Sequence, residues 1–249
     1  MRVRYIGFQP FLLTQGAAIR HMRTARESHH HMAEVRWFGH NCFRIRAREG
    51  VVLMDPVGPK TGYAMGKQTA DIVTMSHDHP GHTHLSGVKP DYRTISGPGE
   101  YEIQTIFITG VRTYHDDNRG ENRGYNTIYL VELEGMTFAH LGDLGHKLSE
   151  PDAQALDNVD VLFVPVGGGT TFTSDDAADL VGQVQPKAVI PMQFATSIGD
   201  KQLDDATAFF KQVGVEPPEP REILTLKPSD LSDATQYFVL SPESSSAKR

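Results

Sequence analysis

From Glu34 onward, apolar and polar residues alternate with a period of two. The stretches "EVRWF" and "CFRIRA" read as strands around the turn-like tripeptide "GHN". "GVVLMDP" reads as a buried strand ending at Asp55-Pro56, and "DIVTMS" as another short apolar strand. "EIQTIFITGV", "YNTIYLVEL", "MTFAHLG", "DVLFVPVG" and "KAVIPM" continue the series. The period changes to that of a helix in "TSDDAADLVGQV". There Ala177, Leu180, Val181 and Val184 share one face, and Thr173 stands three residues before Asp176 as a capping-box start. A second helical face runs through Leu203, Ala206, Phe209, Phe210 and Val213, with Gly214 as its stop. Strands early and strand–helix units late predict two sheets packed face to face with helices outside. No linker or repeat divides residues 34–241.

The ends differ from this body. Residues 1–31 hold five arginines against Glu27, so they carry +4 of the net −7 and leave −11 on the remainder. Their basic start and apolar "YIGFQPFLL" resemble a weak signal peptide, but Gln9 and Pro10 interrupt the apolar part. The segment reads better as a disordered basic arm, or as an upstream start with translation beginning at Met22 or Met32. "SPESSSAKR" reads as a disordered tail over residues 242–249, which leaves one domain over 32–241. The acidic body argues against nucleic acid or an anionic membrane as partner. No apolar run reaches the roughly 20 residues of a bilayer span. The single cysteine, Cys42, excludes an intramolecular disulfide and a Cys-rich zinc site, and points to a reducing compartment, the cytoplasm.

Any metal must therefore be held by histidines and carboxylates. "MSHDHPGHTHL" supplies His77, His79, His82 and His84 directly after an apolar strand. At an extended strand end His77 and His79 point the same way, Pro80 favours that extended backbone, and His82 follows the Pro80-Gly81 turn. Imidazole at this spacing points to zinc. Three later strand ends offer further donors: His115 with Asp116 and Asp117, then His140, Asp143 and His146, and finally Gln193. Taken singly, "HDDNRGENRG" is equally a solvated hairpin loop and "HLGDLGH" a tight turn.

Together these stretches resemble the metallo-β-lactamase-fold hydrolases, in particular their small single-domain branch, distantly related to ascorbate-6-phosphate lactonases. The resemblance rests on "WFGHNCFRI", "VVLMDP", "TMSHDHPGH", "GPGEYEI", "TYHDDNRGENRGYNTIYLVE", "AHLGDLGH", "DVLFVPVGG" and "PKAVIPMQ", over roughly residues 34–240. It implies an α/β fold, a four-layer αββα sandwich. It also implies a supporting role for Asp55, one metal on His77, His79 and His115, and a bridging Asp143. The other metal would take positions 81, 82 and 193, of which only His82 keeps a strong ligand. Gly81 has no side chain to ligate, and Gln193 offers only a neutral oxygen.

The resemblance thus implies a mononuclear zinc hydrolase of an ester, lactone, amide or phosphoester, with manganese or iron as other metals for the site. Asp143 would orient the attacking water. His82 would contact substrate, and His146 and Arg123 are further candidates for stabilising negative charge. The expected partner is a small-molecule substrate, and a homo-oligomer is compatible with the sequence. Loss of two ligands from one site equally suits a non-catalytic binding or regulatory module. Nuclease relatives generally add a nucleic-acid-binding domain, for which this chain has no room outside the arm.

Overall fold

The computed structural model describes residues 32–243. The arm and the tail from residue 244 lie outside the described residues. The first sheet contains β1 (Ala33–Trp37), β2 (Phe43–Arg46), β3 (Val51–Met54), β4 (Ile72–Met75) and β5 (Arg93–Ser96). The second contains β6 (Gly99–Ile103), β7 (Ile106–Tyr114), β8 (Tyr125–Leu133), β9 (Met136–His140), β10 (Val161–Pro165) and β11 (Ala188–Met192). Late in the chain β12 (Leu224–Leu226) joins the first sheet and β13 (Gln236–Tyr237) the second. The helices are α1 (Glu150–Gln154), α2 (Ser174–Val184) and α3 (Thr207–Val213). Strand order is β12-β1-β2-β3-β4-β5 in one sheet and β13-β11-β10-β9-β8-β7-β6 in the other.

The alternation in sequence is realised as alternating burial along β1 and β7, each with one face inward. Val35, Ile45, Val52 and Ile72 of the first sheet share a core with Ile108, Ile128, Val131 and Phe138 of the second. In contrast, "VLFVP" in β10 and "AVIPM" in β11 are buried at every position, as parallel strands covered on both faces are. α2 supplies the second cover through Ala177, Leu180 and Val181. The outer face of the first sheet is covered differently. Phe38, Leu53 and Val73 pack under Val57, Tyr63, Met65 and Val88, which belong to irregular chain and 3₁₀ turns. The αββα layering is thus present, with one outer layer built from a segment whose Gly58, Pro59, Gly62 and Gly66 oppose a regular helix.

α2 begins with the expected capping box, in which Asp176 N donates to Thr173 Oγ1 at 3.2 Å. α3 ends at Gly214 as expected, with φ +69°, but starts at Thr207 rather than near Leu203. The backbone of Asp204 is already committed: its N donates to Gly167 O and its O accepts from Ala195 N, both at 2.9 Å. Asp205 Oδ1 then accepts Thr207 N at 2.8 Å at the helix start. "EIQTIFITGV" is not one strand either, because Gln104 adopts φ +57° and turns β6 back onto β7. Glu243 falls in the expected tail, yet it is held to the first sheet, where its N donates to Trp37 O at 2.7 Å.

The topology decides where chemistry can gather. β1 and β3 are both antiparallel to β2, so β1, β3 and β4 run the same way. β7 and β9 are both antiparallel to β8, so β7, β9, β10 and β11 also share a direction. Two hydrogen bonds join the sheets near the ends of β4 and β8. Thr127 N donates to Ser76 O at 2.9 Å, and Tyr129 Oη donates to Met75 O at 3.0 Å while accepting Gly97 N at 2.7 Å. Tyr129→Phe removes that oxygen from a buried position and is expected to lower stability by about 1–3 kcal/mol. Guanidinium unfolding followed by fluorescence checks this, and an unchanged midpoint would refute the bridging role.

Candidate metal centre

Asp55 follows β3 in a left-handed conformation, φ +43°, and is fully buried. Its Oδ1 accepts Ser76 N at 2.7 Å, and its Oδ2 accepts Ser76 Oγ at 2.6 Å and His82 Nδ1 at 2.8 Å. Since Ser76 Oγ donates to Asp55, it is an acceptor for His77 Nδ1, 3.0 Å away. His77 thus carries its proton on Nδ1 and leaves Nε2 as a lone pair, while His82 keeps a proton on Nδ1 and turns Nε2 to the centre, the orientation that outer hydrogen bonds impose on metal-ligating histidines. His77 Nε2 and His82 Nε2 are buried and have no hydrogen-bond partner among the described residues.

These atoms face Asp143, just past β9. Its Oδ2 lies 3.1 Å from His115 Nε2, 3.5 Å from His82 Nε2 and 3.9 Å from His77 Nε2. Its Oδ1 accepts Asn41 Nδ2 at 2.6 Å. The loop that carries it is fixed by buried Asn126, whose Oδ1 accepts Asp143 N at 3.0 Å. Asn126 Nδ2 donates to Thr113 Oγ1 at 2.8 Å and to Leu141 O at 2.9 Å. Gly142 is required beside it: φ is +58°, and a Cβ would collide with Asn126 Oδ1 and Ser76 Cβ.

The charges are strongly coupled. Burial works against a proton on His82, yet the carboxylates of Asp143 and Asp55 outweigh it and push His82 up to about 10. Burial, reinforced by His82, lowers His77 and also His40 to about 4. Burial opposes ionisation of Asp143, but the charge of His82 and the close approach of the His115 and His82 rings hold it well below the usual carboxylate range. His82 can carry a proton on Nε2 or give that atom to a metal, but not both.

The structure brings His77, His115 and Asp143 together, with ligand atoms all within 4.8 Å of one another. His79 groups instead with His77 and His82. It is exposed, and its Nδ1 receives Gly81 N at 3.2 Å, which favours the opposite tautomer to that of His77 and His82. Gln193 follows β11 at φ +51°, buried, with Oε1 lacking a hydrogen-bond partner among the described residues. Asp116 serves its own loop by accepting four backbone N–H groups, from Asn118, Gly120, Asn122 and Arg123. His146 holds backbone as well, since its Nε2 accepts Tyr114 N at 3.2 Å. His140 is buried, and its Nε2 lies 2.8 Å from Asn41 O. Arg123 lines a cleft of about 720 Å³ together with His77, Arg112 and Tyr125.

The sequence marks "GHN" as a turn within a stretch that carries the family resemblance, with no role for its side chains. In the fold, His40 joins His82 and Asp143 as a third group within 4.8 Å, and Asn41 holds Asp143. Ser76 and Asn126 likewise have no role in the sequence reading. Asn126 within the strand pattern "YNTIYLVEL" is a readable signal, because asparagine is disfavoured in strands. His40 lies in "WFGHNCFRI", one of the stretches that carry the family resemblance, but nothing local gives it a ligand role.

The donor set fits a divalent metal: oriented imidazoles with buried, unpartnered Nε2 atoms surround an ionised carboxylate. Residues 34–193 match the family described as the beta-lactamase superfamily domain. A UPF0173 protein of Pyrococcus furiosus is 30% identical over 181 residues, covering 64% of this chain and 82% of that protein. A UPF0173 metal-dependent hydrolase of Thermococcus kodakarensis is 26% identical over 234 residues, covering 80% and 98%. Among solved structures, a candidate Zn-dependent hydrolase of the metallo-β-lactamase superfamily from Thermotoga maritima superposes with a TM-score of 0.71. It has 32% identity and covers 84% of this chain and 98% of that one. With that fold, and with the strand-end His and Asp residues the family resemblance anticipated, the chain belongs to the beta-lactamase superfamily, in its metallo-β-lactamase branch.

Proposed function

We propose that this protein is a metal-dependent hydrolase acting on a small molecule. The reading is carried by one observation: three imidazole Nε2 atoms converge on a single buried carboxylate oxygen of Asp143. The metal-dependent hydrolase of Thermococcus kodakarensis and the candidate Zn-dependent hydrolase of Thermotoga maritima, as they are named, support the reaction class. His77, His115 and Asp143 would hold the primary ion, with His79 able to join by turning its ring. Zinc suits this donor set best, and manganese or iron are compatible. A divalent ion in such a site acts as a Lewis acid and lowers the pKa of water towards about 7.

The chain's own residues do the rest. Asp143 orients the attacking water by accepting a hydrogen bond from it, kept ionised by its imidazole neighbours. Asn41 holds the other oxygen of that carboxylate and so fixes its plane. Where His82 keeps its proton, it donates from Nε2 to a developing negative charge or leaving group, while Asp55 fixes the ring. The cleft beside His77 sets which esters, lactones, amides or phosphoesters fit. Arg112 and Arg123 on its wall favour a substrate with negative charge, and Tyr125 and Leu85 offer apolar contact. We assign the domain to residues 32–241, with Glu243 following it against β1.

Metal analysis of protein reconstituted with zinc and freed of excess should find at least one ion per chain; metal-free protein would overturn the reading. On a panel of chromogenic esters, lactones and phosphodiesters, His115→Ala should abolish turnover, and turnover surviving that change would mean the site is misassigned. Metal bound without turnover on any substrate class would leave the binding-module reading instead. Asn41→Ala frees one oxygen of Asp143 and should reduce kcat about 10–100-fold, the usual cost of losing an outer hydrogen bond to a metal-site ligand. Its melting temperature serves as the control for folding.

A further inference from the structure

At position 81 the chain lacks the carboxylate its family resemblance calls for, and the structure shows what stands in that space. A Cβ built on Gly81 would lie 3.1 Å from His79 Nδ1 and 3.5 Å from His40 Nε2. A side chain from a different part of the chain, the β1–β2 turn, therefore brings a metal-ligating atom to where a residue at 81 would begin. The His40 ring packs against His82, with centroids 4.8 Å apart and planes at 52°. His40, His82 and Asp143 each offer one ligand atom, and these lie within 4.8 Å of one another. Asp143 also belongs to the group with His77 and His115, so one carboxylate is common to both.

The position of His40 is over-determined. It adopts φ +50°, which histidine tolerates but does not favour. Its carbonyl is held from two sides, by Trp37 Nε1 at 2.9 Å and by Gln193 N at 3.3 Å. The preceding Gly39 has φ +93° and lies so close to the Tyr63 ring that a Cβ would overlap it. The following Asn41 donates to Asp143, and its carbonyl lies 2.8 Å from His140 Nε2. Gln193, whose backbone braces the turn, has its own Oε1 buried without a hydrogen-bond partner among the described residues. A turn strained at a non-glycine residue and locked on every side is how a fold presents a functional group.

We propose that His40 is a metal ligand which, with His82 and Asp143, holds a second divalent ion and takes the place of the carboxylate missing at Gly81. The inference rests on the metal-dependent reading above but goes further, because it makes the centre dinuclear where the sequence alone implied one ion. Two imidazoles and a shared carboxylate suit zinc, manganese or iron.

Metal counting tests it without recourse to activity. The full chain is stripped with chelator, reconstituted with zinc, dialysed and analysed for zinc per chain, with circular dichroism to confirm folding. Wild type should hold two ions, and His40→Ala one. His40→Asn keeps a residue that accepts the left-handed turn and should also hold one. Adding Gly81→Asp to His40→Ala should restore the second ion, because the new carboxylate enters the space the imidazole vacates. One ion in wild type, or two in both His40 variants, overturns the proposal while the hydrolase reading stands. No ion in wild type overturns both.

Discussion

The buried negative charge of Asp143 is the constraint to which the rest of the site answers. A carboxylate removed from water must be surrounded by partners that favour its ionised form. Here the charge of His82 does this at one oxygen, with His115 and His77 beside it, and Asn41 donates to the other. The same arrangement suits Asp143 to the ligand role proposed for it, since the oxygen that faces three imidazoles is the one an ion would share with them. Asp55 repeats the logic one layer out. Its buried carboxylate, satisfied by Ser76 and His82, aims Nε2 of two rings at the centre.

Strand direction explains why these residues meet at all. β1, β3 and β4 end at one edge of the first sheet, and β7, β9 and β11 run in a common direction in the second. Asp55, His77, His115, Asp143 and Gln193 all follow the carboxyl ends of such strands. The loops can then be short and tightly held. Thr127 and Tyr129 tie the second sheet to the end of β4, within two residues of His77. The strain of left-handed residues at Asp55, His40 and Gln193 is carried by a rigid support.

The two halves of the centre differ in how they are built. The His77–His115–Asp143 group draws on positions that the family resemblance names in order. The His40–His82–Asp143 group includes a residue from a turn near the start of the domain. With His40 as ligand, the substitutions at Gly81 and Gln193 become a rearrangement rather than a loss. The space left by a missing side chain is used by another, and Gln193 serves through its backbone.

Much is legible along the chain because it depends on local pattern. Period-two alternation marks the strands, unbroken apolar runs mark β10 and β11, and Thr173 with Asp176 marks the start of α2. The spacing of His77, His79 and His82 after a strand points to a loop able to hold a metal, since that geometry is local to a few residues. The start of α3 is not legible, because the backbone of Asp204 is claimed by Gly167 and Ala195, distant in sequence. Nor is the place of His40, Asn41 or Ser76 legible. Asn41 meets Asp143 across 102 positions and Ser76 meets Asp55 across 21. Sequence by itself determined the fold class, the strand ends and the chemical type of the centre, because residue identity and short-range spacing dictate them. Only the tertiary structure decided which donors share one ion's space. That depends on two sheets stacking at a common edge, a distance no local pattern encodes.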